Sequence, residues 1–141
     1  ELRGYLMKKK YLLDTSIITF LFRKAYNIGN RLRELDNDQY FVSEITIAEL
    51  TYGAYHSDRV SENLMMVDRL ESLVDILPIS SAIDEYGKQK DILVKSGRMI
   101  DDFDLLIGCT AVANGMIMVT DNTKHFSRIH GIQLENWVDR S

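Results

Sequence analysis

The sequence predicts a three-layer α/β/α fold with a mostly parallel central sheet. Three observations predict it. Short apolar strand segments alternate with helix-length segments along the chain. That alternation yields parallel sheets covered by helices on both faces. At 141 residues the chain has the length of one domain, large enough to bury a core unaided.

Residues 9–13 read as a short buried strand ending at Asp14. Ile17, Ile18, Phe20 and Leu21 place a helix over Thr15 to Phe22, and Ile28, Leu32 and Leu35 place another over Ala25 to Leu35. Tyr40, Phe41 and Val42 make a second strand. Ser43 reads as the N-cap of a helix from Ile45 to Tyr55, with Glu44 at the positive end of its dipole. A further helix covers Glu62 to Leu73. Val74 to Ile79 is the third strand, on an edge because Pro78 cannot donate to a ladder. Ser80 or Ser81 caps a helix from Ala82 to Lys95, which Gly97 closes. Asp101 or Asp102 caps the next, from Phe103 to Ala113, and Asn114-Gly115 stops it. Met116 to Thr120 is a continuous apolar strand and Ile132 to Leu134 a last one. Open sheets of this kind bind ligands beyond the carboxyl ends of their strands, which gives a test for each candidate residue.

Composition narrows the classes. Hydrophobic residues make up 45% and charged residues 27%, as in ordinary globular domains. A single cysteine excludes an internal disulfide and suits a reducing compartment. No apolar run approaches the ~18 residues of a membrane helix, and no signal-peptide pattern opens the chain. A soluble, cytoplasmic protein is expected. The net charge of −4, from 17 basic and 21 acidic residues, argues against a basic nucleic-acid coat protein. It is compatible with a nuclease whose acids hold cations. Met7 before Lys8-Lys9-Lys10 has the look of a translation start, making residues 1–6 an added or upstream leader and 8–137 a single domain.

The acids carry the chemistry. Asp14 directly follows the first strand, where it either points into the crevice or caps the helix behind it. Ser16 is placed to support its carboxylate through the hydroxyl. Glu49 shares a helix face with Ile45, Ala48 and Tyr52, which directs it inward. An acid there needs a buried basic partner or a metal. Asp104 shares a face with Ile107, Gly108 and Ala111, small residues that permit close helix–sheet packing; Gly108 costs ~1 kcal/mol relative to Ala. Asp104 could merely complement the helix dipole, but Asp101 and Asp102 already do so. Thr120, Asp121 and Asn122 end the last long strand on the edge of Asp14, where Asp121-Asn122 is either a turn or a metal contact.

Gathered within ~3–6 Å, three or four carboxylates raise one another's pKa unless a cation keeps them ionised. Oxygen-only ligands suit Mg²⁺ or Mn²⁺ rather than zinc. His56, His125, His130 and Cys109 show no zinc-ligand spacing. Carboxylate-held Mg²⁺ serves mainly phosphate chemistry.

Read together, these segments resemble the PIN-domain nucleases. Tyr11 to Ser16 is similar to the family's opening strand, and Ser43 to Gly53 to its second motif, with the acid at Glu49. Gly97 to Ile107 resembles the third motif, with the acid at Asp104. Met118 to Phe126, then Ile132 to Trp137, resembles the closing segment. Order, spacing and length match from Lys8 to Trp137. The compact size and the closing Glu135-Asn136-Trp137 resemble in particular the VapC-type toxins of bacterial toxin–antitoxin pairs.

The resemblance implies a PIN-like fold and an Mg²⁺- or Mn²⁺-dependent endoribonuclease whose ions are held by Asp14, Glu49 and Asp104. It also implies a homodimer, a cognate VapB-like antitoxin, and a tRNA or ribosomal RNA substrate whose cleavage stops translation. Two positions depart from the pattern. The fourth acid, two residues after Thr120, is Asn122 here, with Asp121 beside it. Gly108 and Cys109 stand where alanines are commoner.

The implied mechanism is phosphodiester hydrolysis by a metal-activated water, with Thr120 and Ser16 supporting the acids and Asn122 or Asp121 completing the set. Arg98, Lys124 and Arg128 flank the last two motifs, either as contacts to RNA phosphates or as solvated surface charges. A haloacid-dehalogenase-like phosphatase would need a second Asp where Ser16 stands, and neither a Walker A loop nor a Gly-x-Gly-x-x-Gly occurs. The alternatives are a PIN-domain RNA-processing nuclease outside any toxin system and a non-catalytic binding module on the same fold. Tyr26, Ile28, Tyr52, Tyr55, Met65 and Met66 are candidates for a dimer face, with core packing as their other fate.

Overall fold

A computed structural model describes residues 8–141, so the leader expected at residues 1–6 lies outside the described residues. Five strands form one sheet: β1 (Tyr11–Leu13), β2 (Tyr40–Ser43), β3 (Asp75–Leu77), β4 (Ile117–Val119) and β5 (Gln133–Glu135). Their order is β3-β2-β1-β4-β5, and every neighbouring pair is parallel. The helices are α1 (Thr15–Phe22), α2 (Ile28–Arg33), α3 (Glu44–Tyr55), α4 (Val60–Leu73), α5 (Ile83–Lys95), α6 (Asp102–Ala113) and the short α7 (Thr123–Phe126).

Alternation along the strands builds the layers. Tyr11, Leu13, Val42 and Val119 face one cluster with Ile17, Ile18, Ile28, Leu70 and Trp137. Leu12, Phe41 and Met118 face the other, with Leu93, Leu105, Ile107 and Phe126. Helices α1, α2 and α4 therefore cover one face, and α5, α6 and α7 cover the opposite one. This is the predicted three-layer α/β/α arrangement.

Parallel pairing puts all carboxyl ends on one edge. The chain runs from β1 outward to β2 and β3, then returns to β4 and β5 on the other side. Strands β1 and β4 therefore flank the switch point, where ligands enter such sheets. Asp14 follows β1 and Thr120 follows β4. Their amides continue the ladder, Asp14 N donating to Val119 O at 2.9 Å and Thr120 N to Glu135 O at 3.0 Å.

Most expected elements form, β3 at the sheet edge included, but three expectations are corrected. The helix expected from Ala25 begins only at Ile28, because Lys24, Tyr26 and Asn27 all take positive φ and break it. Neither Ser80 nor Ser81 caps α5. The chain first makes a 3₁₀ turn over Ile79–Ala82, and the buried Ala82 occupies the cap position without a side-chain bond. Third, the face of Ile45, Ala48 and Tyr52 is not the inward face of α3, since Ala48 and Tyr52 are exposed. Helix α3 spans the carboxyl edge and packs on both layers, through Ile45 on one and through Ile47 and Leu50 on the other. Glu49 accordingly lies half-buried at the margin.

Candidate functional site

Asp14 is 6% exposed and receives three donors. The Thr15 amide donates to Oδ1 at 2.8 Å; the Thr120 and Ser16 hydroxyls donate to Oδ2 at 2.8 and 3.2 Å. Asp14 therefore caps α1 through Oδ1, while Oδ2 is held by Thr120 from the end of β4 and by Ser16. Burial pushes the carboxyl above its ordinary pKa, and the hydrogen bonds from Thr120, Thr15 and Ser16 pull it back.

Ser43 caps α3, accepting from Ile45 N at 3.0 Å, and the helix brings Glu49 beside Thr15. The Thr15 hydroxyl donates to Glu49 Oε1 at 2.7 Å and lies 3.0 Å from the Thr46 hydroxyl. Burial raises the Glu49 carboxyl, the Thr15 bond lowers it, and the charges of Asp14 and Asp101 raise it further. Glu44 is turned elsewhere, accepting from Ile79 N at 2.7 Å.

Asp101 caps α6, its Oδ2 accepting from the Phe103 and Asp104 amides at 3.1 and 3.4 Å. Asp104 in the first turn is pushed up to about 6, by burial first and then by the charges of Asp14, Asp101 and Glu49. Asp14, Glu49 and Asp104 thus share one electrostatic neighbourhood, with Asp101 as a fourth member. No lysine or arginine forms an ion pair with any of the four among the described residues. A cleft of about 420 Å³ opens beside Glu49, lined also by Thr15, Thr19 and Gly53.

A family model for the PIN domain matches residues 11–132. The chain belongs to the PIN-domain family. A ribonuclease VapC1 of Haemophilus influenzae is 35% identical over 131 residues, covering 91% of this chain and 98% of that protein. A tRNA(fMet)-specific endonuclease VapC of Shigella flexneri is 32% identical over 130 residues, with 91% and 98% covered. Among solved structures, the DNA-bound VapBC of Salmonella typhimurium superposes with a TM-score of 0.84 at 31% identity, covering 92% of this chain and 99% of that one. VapBC-1 of nontypeable H. influenzae superposes at 0.80 and 32% identity, covering 92% and 98%.

PIN-domain ribonucleases depend in general on divalent metal. The donor set here fits a hard cation: carboxylate and hydroxyl oxygens, raised carboxyl pKa values and no neutralising base. It is not a preformed shell, because no three Asp, Glu, His or Cys side chains among the described residues stand at direct-ligation spacing.

The remaining candidates of this PIN-domain chain separate. Asp121 turns to the C-terminal segment, where Arg140 pairs with both its oxygens at 2.9 and 2.6 Å and Asn136 donates at 3.1 Å; Arg140 holds its pKa low. Asn122 donates its amide to Thr120 Oγ1 at 2.9 Å, and its Oδ1 lies 2.8 Å from His125 Nδ1. Arg98 and Arg128 line a separate cavity of about 450 Å³ that includes none of the acids, and Arg128 donates to Met99 O at 2.9 Å. Lys124 is exposed on α7. Of the dimer-face candidates, Ile28 is fully buried and Tyr26 packs against Phe20, while Tyr52, Tyr55 and Met65 are exposed.

Sequence reasoning missed Thr15 and Thr46, although Thr46 sits one turn before Glu49 on α3. It read Asp101 only as a cap. Cys109 is buried and its thiol is pushed up to about 12 by burial, which suits a packing residue rather than a nucleophile.

Proposed function

We propose that this chain is a metal-dependent endoribonuclease acting as the toxin of a toxin–antitoxin pair, with residues 8–137 as its single nuclease domain. The observation that carries the reading is the electrostatic coupling of Asp104 to Asp14, Asp101 and Glu49 at the switch point of the sheet. Asp14, Glu49 and Asp104 would hold Mg²⁺ or Mn²⁺, with Asn122 nearby. When bound, such ions supply an activated water and charge to stabilise the leaving oxygen. The chain's own groups do the orienting. Thr120, Ser16 and the Thr15 amide fix Asp14, and the Thr15 hydroxyl fixes one oxygen of Glu49.

The names of the relatives support an RNA substrate, and a structured RNA such as tRNA or ribosomal RNA is the proposed class. VapBC complexes among the structural neighbours support a VapB-like antitoxin partner. A cytoplasmic homodimer completes the reading. Among the described residues no helix is long and apolar enough to cross a membrane. The test is RNA cleavage by the purified protein with Mn²⁺ against EDTA, beside Asp14→Ala and Asp104→Asn. Metal-dependent cleavage lost in both variants is expected; cleavage that survives in both would overturn the assignment. Growth arrest on expression, relieved by Asp14→Ala, separates a toxin from a processing nuclease, which would leave growth unaffected.

A further inference from the structure

Tyr52 is 68% exposed, yet it is not a loose surface side chain. Its ring stacks on His56, with centroids 5.5 Å apart and planes inclined by 10°. On α3, residues 49, 52, 53 and 56 form one stripe, and Tyr52 lies roughly 5 Å along the axis from Glu49. One full turn beyond Glu49, Gly53 adds no side chain, and a Cβ placed there would meet nothing within 4 Å. Glu49 and Gly53 both line the cleft, and Glu49 is the one acid of the site that does so. An exposed aromatic platform thus lies one helical turn from Glu49.

We propose that Tyr52, backed by His56, is a stacking platform for an unpaired base of the RNA substrate, next to the phosphate delivered to Glu49. The inference rests on the ribonuclease reading above. Unpaired bases are recognised by stacking on Tyr and His rings, a mode that tolerates any base because each has a π-face. A protein partner would be served better by a continuous apolar surface. Here the stripe is interrupted by an acid and a glycine, which fits a polyanion whose charge is met by cations and whose base is met by a ring. Tyr52 is then a specificity residue for unpaired over duplex RNA.

The test uses the full chain and a short single-stranded RNA carrying 2-aminopurine, with Tyr52→Ala, Tyr52→Trp and His56→Ala. Tyr55→Ala is the control, an exposed aromatic one further turn along α3 from Glu49, with Tyr52 rather than Tyr55 stacked on His56. Stacking is worth about 1–3 kcal/mol per base, so Tyr52→Ala should raise KM about 5- to 160-fold with kcat little changed. Tyr52→Trp should restore it, His56→Ala should give a smaller rise, and Tyr55→Ala should change nothing. Binding measured in an Asp104→Asn background should quench 2-aminopurine emission, and Tyr52→Ala should abolish the quench. Unchanged KM and quench in Tyr52→Ala overturn the proposal. So does a shift in sedimentation of Tyr52→Ala towards monomer, which would make Tyr52 a subunit contact. Quenching without any metal-dependent cleavage would retain the platform and discard the nuclease reading; neither signal discards both.

Discussion

The Thr120 hydroxyl donates to Asp14 Oδ2 at 2.8 Å, joining the ends of β4 and β1 across the switch point. Both residues are buried. The same Thr120 oxygen accepts from Asn122 N at 2.9 Å, which aims its proton at the carboxylate. The turn after β4 and the acid after β1 are therefore one hydrogen-bonded unit.

Thr120→Val keeps the shape and removes the donor. A buried acceptor left short of a partner costs about 1–3 kcal/mol, and Asn122 N loses its acceptor as well. Thermal melts should show the loss, and Mn²⁺ titration should show weaker binding, with Thr120→Ser close to wild type in both. Equal melting temperatures for the Val variant and wild type would remove Thr120 from this role.

The raised carboxyl of Asp104 makes the metal-free protein pH-sensitive. Its folded value of about 6 lies above the ~3.9 of an unfolded Asp, so between those values the folded state holds more protons. Stability from this group is present below about pH 4 and lost as pH rises through about 6. Asp104 is half exposed, and solvent screening holds the effect to about 1 kcal/mol. In EDTA, wild type should lose stability relative to Asp104→Asn across that window. A difference that stays flat with pH contradicts the coupling. Millimolar Mn²⁺ should stabilise wild type above pH 6 through linkage, and the Asn variant less.

Much of this was legible in the sequence, and the physical reasons differ by element. Asp14 and Asp104 were legible because one ends an apolar strand and the other shares a face with Ile107, Gly108 and Ala111, all buried. Glu49 was found on a mistaken premise. Periodicity reports a helix that packs on one layer, whereas α3 packs on both and leaves Ala48 and Tyr52 exposed. Thr15, Thr46 and Asp101 were hidden because their roles depend on which elements meet at the sheet edge. The break before α2 was hidden too, since Lys24, Tyr26 and Asn27 are not the glycines that usually mark positive φ.

Gly108 has a packing reason that sequence located only in part. A Cβ there would lie 2.3 Å from Ile129 Cδ1 and 3.3 Å from Phe126 Cδ1, so the close approach is to the segment after β4 rather than to the sheet. Gly108→Ala gains about 1 kcal/mol of helix propensity but overpacks a buried site, which costs about 1–3 kcal/mol. A net loss of stability is expected. Ile129→Val removes the clashing atom, so the double variant should be more stable than additivity allows. Additive losses in denaturant unfolding would show that Ile129 is not the obstacle.

The pair Asp121 and Asn122 gives the last prediction. In the sequence Asp121-Asn122 reads as either a turn or a metal contact; the Asp121 carboxylate is bound by Arg140, whose guanidinium also lies 5.3 Å from the centre of the Tyr26 ring. An ion pair with an exposed arginine contributes about 0.2–1 kcal/mol, so Asp121→Ala should cost no more than that and leave cleavage intact. Asn122 stays on the Thr120 side of the turn, with its amide oxygen at His125. Asn122→Asp would add a carboxylate on the Thr120 side of the turn, beside the His125 ring. Tighter Mn²⁺ binding should follow. Mn²⁺ dependence of cleavage, measured for both variants, separates the roles. Loss of cleavage in a normally folded Asp121→Ala would reverse the assignment and make Asp121 the fourth carboxylate, released from Arg140 when RNA or metal binds.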